Sequence, residues 1–310
     1  MRVLCAGLMV CDILVKPVTA DCLGSDTTAV EQIVLAGGGD AYNVAVNLAA
    51  LGVGVSLVSR VGQDELGGWL LGQARSRGVG DAIVVCRDVR TSSSIVAIHP
   101  DGERSFLSYK GACHAMVQED VTDRHLAEHD VFYLGSAFDL SGIDNGGLVP
   151  LFERAKSRGL FTVLDVTTDL TVADMDALRP VLPNLSLFMP SLGQALGLTD
   201  TDDAERAGRW FRELGCETVV VKMGAAGCLV LSGDGCVRLP AYRAKAVDTT
   251  GAGDAFVSGY LAAHIRGLSP VECARHGNAA GAVCVGAIGA NGALKDFRQL
   301  ASIVNVDVTT

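Results

Sequence analysis

Val247-Asp248-Thr249-Thr250-Gly251-Ala252-Gly253-Asp254-Ala255-Phe256 sets a run of small residues against the start of an amphipathic helix. In that helix Phe256, Val257, Tyr260, Leu261 and Ile265 share one face. Gly251, Ala252 and Gly253 would present successive free N–H groups at a helix N-terminus, an anion hole suited to phosphoryl oxygens. Asp254 falls in the same first turn. There the helix dipole keeps a carboxylate ionised and able to take a proton from an attacking hydroxyl. A capping aspartate after a glycine turn is the alternative reading of the same residues.

A second small-residue run stands near the other end of the chain. Gly37-Gly38-Gly39-Asp40-Ala41-Tyr42-Asn43 leads into a helical pattern in which Val44, Leu48 and Leu51 recur at i, i+4 and i+7. Without side chains where a helix begins, backbone N–H groups can approach a polar ligand closely. Asn43, in the first turn, offers a hydroxyl both a donor and an acceptor. A flexible turn with Asp40 as its N-cap is the alternative.

Between these runs the pattern alternates. Short aliphatic stretches at 2–6, 55–59, 83–86, 131–134, 161–164, 185–189, 218–222 and 228–231 predict strands. Helical periods fill 41–51, 65–76, 147–157 and 204–214, and helices close the chain at about 254–266 and 269–284. Alternating β and α units predict an α/β fold, a mostly parallel sheet with helices on both faces. Two segments break the rhythm. Residues 92–109 carry two β-runs around Pro100-Asp101-Gly102-Glu103, a hairpin by turn chemistry, and 12–35 hold two more extended runs. With no repeat and no linker, the expectation is one domain over 1–310 carrying a small β-stranded flap from about 12–35 and 90–112.

Composition narrows the classes. The 310 residues are 49% hydrophobic and 19% charged, enough for a large core and the reverse of a disordered chain. A net charge of −10 argues against nucleic acid, which needs a basic face, but leaves room for a small anion held by backbone amides. The ten cysteines show no C-x-x-C and no zinc spacing, and most sit in apolar runs, so buried thiols in a reducing compartment are expected. No leader pattern and no apolar run of about 18–20 residues is present, which predicts a cytoplasmic protein without a membrane span. G-x-x-x-x-G-K-[ST], H-E-x-x-H and G-x-S-x-G are all missing, as is a G-x-G-x-x-G after the first strand.

Taken together, the two glycine runs resemble the signatures of the ribokinase-like (PfkB) carbohydrate kinases. Gly38, Gly39 and Asn43 match the early signature, and Asp248 to Asp254 complete D-T-x-G-A-G-D. Val61-Gly62-Gln63-Asp64-Glu65-Leu66-Gly67 and Lys222-Met223-Gly224-Ala225-Ala226-Gly227 are similar to further family stretches in the same order. The resemblance implies a three-layer sandwich with a β-stranded lid, and ATP-dependent phosphorylation of a primary hydroxyl on a sugar or sugar derivative. It implies Asp254 as the general base and Gly251, Ala252 and Gly253 as the anion hole. Asp12, Gly38, Gly39, Asp40 and Asn43 would hold the acceptor together with Asp254. Ser191, Lys222, Gly224, Gly227 and Asn278 would line the nucleotide cleft. Asp248 and Thr250, with the 286–289 loop, would hold a monovalent cation, K⁺, beside an ATP that carries Mg²⁺. Pairing of two copies through the lid is a further implication.

One stretch departs from the family. Met189-Pro190-Ser191-Leu192-Gly193-Gln194-Ala195 stands where relatives carry N-x-x-E, so Ser191 and Gln194 replace an amide and a carboxylate associated with Mg²⁺. A glutamate restored at 194 is expected to tighten the Mg²⁺ requirement. No arginine is expected near the 251–253 turn, so Mg²⁺ should be indispensable. Cys113, His114, His99 and Arg104 fall near the lid and are candidates for specificity or for packing. A nucleoside kinase of the same family and a catalytically weak sugar or nucleotide sensor are the two alternatives.

Overall fold

In the computed structural model, which describes residues 1–310 apart from 101, 102, 168, 169 and 307–310, strand β1 (Arg2–Ala6) is buried on both faces. Val3 and Cys5 enter one hydrophobic cluster, Leu4 and Ala6 the other. A strand whose alternate side chains are all apolar must be covered on both sides, and that forces three layers.

Fourteen further strands follow in chain order: β2 (Val10–Lys16), β3 (Gln32–Gly38), β4 (Gly54–Val58), β5 (Arg60–Gly62), β6 (Gly80–Asp81), β7 (Val84–Cys86), β8 (Ser93–Ile98), β9 (Arg104–Tyr109), β10 (Val131–Ala137), β11 (Phe161–Val166), β12 (Leu187–Phe188), β13 (Val219–Lys222), β14 (Cys228–Ser232) and β15 (Gly235–Leu239). The helices of eight residues or more are α1 (Asp40–Ala50), α2 (Glu65–Ser76), α3 (Leu148–Ser157), α4 (Leu192–Thr199), α5 (Ala204–Glu213), α6 (Ala252–His264), α7 (Pro270–Val285) and α8 (Phe297–Val306). The central sheet has nine strands in the order β15-β14-β13-β12-β11-β10-β1-β4-β6. It is parallel from β6 to β13 and antiparallel over β13-β14-β15. Helices α1, α6 and α7 cover one face and α3, α4 and α5 the other.

Every strand and helix expected from the sequence is present, with ends shifted by at most a few residues. β5, β6, β15, α4 and α8 are additions: β5 and β6 are two or three residues long, β15 is a part-exposed edge strand, and α8 follows the last motif the sequence offered. A second sheet, β3-β2-β8-β9, collects the two segments that broke the alternation. Its hairpins are antiparallel as expected, but β2 and β8 join in parallel, so the flap is a mixed sheet. His99 N–H donates to Glu103 O across the β8–β9 turn, whose Asp101 and Gly102 lie outside the described residues. All ten cysteines are unpaired, and Cys22, Cys86 and Cys236 are the part-exposed ones. Among the described residues no helix is long and apolar enough to cross a membrane.

The chain leaves β1 toward β4 on one side and later returns through β10 on the other. The C-terminal ends of β1 and β10 therefore diverge and open a crevice, the usual ligand position in parallel sheets. The N-termini of α1 and α6 both point into it, one from each glycine run.

Candidate active site

Helix α6 begins at Ala252, with Gly251 as its N-cap at φ 69°. That left-handed backbone packs against Ala290, where a Cβ on Gly251 would come within 2.5 Å of the alanine Cβ, so the turn requires glycine. Ala252 N–H donates to Thr249 O at 3.3 Å, a long bond. The Gly253 and Asp254 amides, in the first helical turn, have no intrahelical acceptor. The anion hole expected at 251–253 thus rests mainly on its later amides.

Asp254 is buried, and burial together with the Asp40 and Asp165 carboxylates pushes its carboxyl well above the usual range. Loss of water is the largest effect and the Asp40 carboxylate the second. Asn43 Nδ2 donates to Asp254 Oδ2 at 2.8 Å. Asn43 Oδ1 in turn accepts from Asn291 Nδ2 at 2.8 Å, and the same Asn291 nitrogen lies 3.0 Å from Gly37 O. The two motifs, 211 residues apart, therefore meet directly, and Asn291 ties both to the loop after α7.

The first glycine run works differently from its sequence reading. The N-cap of α1 is Gly39, and Asp40 is the first helical residue, so Asp40 does not cap the helix. Its carboxylate accepts from Ser136 Oγ at 2.6 Å, and burial raises it toward the protonated form. Gly38 leaves room for the Asp12 carboxylate, which a Cβ there, 2.0 Å from Asp12 Oδ2, would displace. Burial pushes the Asp12 carboxyl up to about 7.

Lys222 closes the other side of the crevice. Its Nζ donates to Asp165 Oδ2 at 2.6 Å and lies 3.6 Å from where a Cβ on Gly253 would be. Gly224 faces open space beyond it, whereas Gly227 is pressed against Leu239 O. Asn278 is buried and its amide N–H groups are spent on Pro240 O and Cys228 Sγ.

Ser191 and Gln194 have structural work. Ser191 caps α4, accepting from Gln194 N–H at 3.3 Å, and Ser191 N–H donates to Gln194 Oε1 at 2.6 Å. Gln194 Nε2 donates to Val166 O and Thr167 O. Both ends of this amide are occupied, so a glutamate here would turn an oxygen toward two carbonyls instead of strengthening a metal shell.

Arg104 corrects the expectation that no arginine lies near the 251–253 turn. From β9 it reaches Asp248 Oδ1 at 3.0 Å and Thr249 Oγ1 at 3.4 Å, joining the second sheet to that turn. Asp248 Oδ1 also accepts from Thr250 N–H and Oγ1, and Oδ2 accepts from Gly289 N–H. These bonds outweigh burial and hold the carboxyl below its ordinary value. Three of the four donors fall on Oδ1, Arg104 among them, and Oδ2 carries only the Gly289 N–H, so Oδ2 keeps a lone pair free. Among the described residues no group of three or more His, Cys, Asp or Glu is set to hold a metal.

Asp165, Ser136 and Asn291 escaped the sequence reading, which placed Arg104 near the lid but not against Asp248. Asp165 and Ser136 end strands β11 and β10, a position at the carboxyl edge of a parallel sheet that was itself a signal. Ser136 carries a second mark only the structure shows, a left-handed backbone at φ 60°. His114 takes no part in the crevice around Asp254. It pairs with Asp139 at 3.3 Å, and hydrogen bonds to Asp139 and Cys113 outweigh burial to push it up to about 9.

Residues 2–296 match the model of the pfkB family carbohydrate kinases. The chain is 31% identical over 269 residues to the 2-dehydro-3-deoxygluconokinase of Thermoproteus tenax, covering 84% of this chain and 83% of that one. It is 29% identical over 280 residues to the aminoimidazole riboside kinase of Salmonella typhimurium, covering 85% and 86%. The structure of Arabidopsis thaliana ribokinase complexed with ribose and ATP has the same fold, with a TM-score of 0.81 over 98% of each chain at 24% identity. The fold is ribokinase-like, and the chain belongs to the pfkB family of carbohydrate kinases.

Proposed function

We propose that this chain is one ribokinase-like domain, with the four-stranded sheet as its lid, that transfers the γ-phosphoryl group of ATP to a primary hydroxyl of a sugar or sugar derivative. The observation that carries the reading is the bond from Asn43 to Asp254, which sets an acceptor-binding amide beside a base at the foot of an anion-binding helix.

Asp12 and Asn43 bind acceptor hydroxyls from the lid and from α1, beside Gly38 and Gly39. Asp254 takes the proton of the reacting hydroxyl as its oxygen attacks the γ-phosphorus, and ADP departs. Its raised proton affinity suits it to that task, and the negative charge of Asp40 sustains it. The amides of the 251–253 turn stabilise charge on the transferring group. Ser191, Lys222, Gly224, Gly227 and Asn278 line the nucleotide side. Mg²⁺ bound to ATP supplies charge neutralisation; no carboxylate cage is needed for it. Asp248 Oδ2 and Thr250, with the 286–289 loop, would hold K⁺ in this reading, beside the Arg104 contact on Oδ1. Two similar relatives carry the names of a sugar-acid kinase and a riboside kinase, which supports the hydroxymethyl chemistry and leaves a nucleoside acceptor as the second choice.

The reading includes a cytoplasmic enzyme that pairs through its lid. Leu35, Ile13, Ile95 and Leu107 form one row across the four strands, and Leu35, Ile95 and Leu107 are 44%, 42% and 61% exposed. Sedimentation equilibrium tests the pairing. The activity is tested by coupled ADP release across a panel of sugars, sugar acids and nucleosides. ADP release with none of them would reduce the protein to a sensor.

A further inference from the structure

Around Asp254 the structure gathers two further acids, buried Asp165 and part-buried Asp40, and one cation. Lys222, at the end of β13, reaches across the end of β12 to Asp165 at the end of β11, with both side chains largely buried. Its attraction opposes the raised proton affinity of both Asp40 and Asp254, so the ammonium lies within the field of the catalytic group. Asp165 accepts one of its three N–H bonds at 2.6 Å, and Asp165 Oδ1 accepts from Val166 N–H. Gly253, in the first turn of α6, is close by: a Cβ on it would lie 3.6 Å from the ammonium nitrogen.

A buried ion pair is a poor source of stability, because desolvation consumes most of the attraction. A lysine clamped by one carboxylate and aimed at an anion-binding turn has a better use. The geometry points to Lys222 as the cation that meets the transferring phosphoryl group, with Asp165 as the positioning residue that aims it. This rests on the kinase reading above and sharpens it. A general place for Lys222 on the nucleotide side becomes a contact with the γ-phosphoryl oxygens, and not with the base, ribose or α-phosphate. Charge spread over those oxygens in the transition state is what a fixed ammonium stabilises, and ADP does not carry them.

The test separates the γ-phosphoryl group from the rest of the nucleotide. Lys222→Met leaves Asp165 buried without its partner, so the double variant Asp165→Asn/Lys222→Met is made beside it and thermal unfolding is recorded for both. Calorimetric titration with ADP and with the β,γ-imido analogue of ATP gives affinities, and coupled ADP release gives kcat. We expect kcat to fall ~10²–10³-fold in either variant, the loss typical of one transition-state charge contact. The imido analogue should weaken at least ~10-fold while ADP stays within ~3-fold of wild type. Asp165→Asn alone should lower kcat by about 10-fold with ADP affinity unchanged, as for a loosened but present cation. A double variant that folds and keeps kcat within ~3-fold of wild type, or one in which both nucleotides weaken by the same factor, overturns the assignment. Wild-type protein that binds neither nucleotide overturns the kinase reading itself, a different result.

Discussion

Asn43 Nδ2 stands 2.8 Å from Asp254 Oδ2, and this single bond joins the first turns of two helices whose glycine runs lie at opposite ends of the chain. The bond favours the charged form of Asp254, and under the proposed function Asn43 would also hold the acceptor.

Asn43→Ala therefore has two expected effects. The KM for the acceptor should rise at least ~10-fold while the KM for ATP changes little, as for loss of a buried amide contact on one substrate. The acid limb of the kcat/KM profile should also move to higher pH, since Asn43 favours the ionised carboxylate. Equal rises in both KM values would place Asn43 outside the acceptor pocket.

Asp40→Asn should move the same limb the other way. The Asp40 carboxylate raises the proton affinity of Asp254, and activity increases with pH as Asp254 loses its proton. Removing that charge lets Asp254 ionise at lower pH, so activity at pH 5.5 should rise relative to activity at pH 8. A pH profile identical to wild type would show that the two acids do not communicate.

Much of this site was legible because glycine runs before helices are local signals. The glycine turn that opens α6, Asn43 in the first turn of α1 and the α/β alternation all follow from residues within a few positions of one another. The rest depends on distances no local pattern encodes. Arg104 meets Asp248 from 144 residues away, and Lys222 meets Asp165 across an intervening strand. Gln194 misled for a related reason: its spacing from Ser191 fits both a metal-associated pair and a capping box, and only the carbonyls of Val166 and Thr167 decide between them.

Asp12 should make stability depend on pH in the ligand-free protein. Its carboxyl rises from 3.8 to about 7 on folding, so between those values the unfolded chain releases a proton that the folded one keeps. Stability then declines as pH climbs from about 4 to about 7 and is level above that. Asp12→Asn removes this contribution. Its Tm should gain on wild type by a few degrees between pH 4.5 and pH 8, measured by calorimetry, while acceptor KM rises. Parallel Tm curves for the two proteins would show that Asp12 is not desolvated.

Gln194→Glu should cost stability and leave metal use alone. The new oxygen would face Val166 O and Thr167 O, losing two hydrogen bonds, at about 1–3 kcal/mol. Mg²⁺ titrations at fixed ATP should coincide with wild type after normalisation. A curve shifted to lower Mg²⁺ would mean that the side chain leaves its cap to reach the metal.

The central claim, that Asp254 is the base of a phosphoryl transfer, is tested most directly by the turnover of Asp254→Asn on the best acceptor of the panel. With thermal unfolding and ATP binding close to wild type, kcat should fall ~10²–10⁴-fold, the range of general-base catalysis. A variant that folds, binds ATP and keeps more than about a third of wild-type turnover would contradict the account.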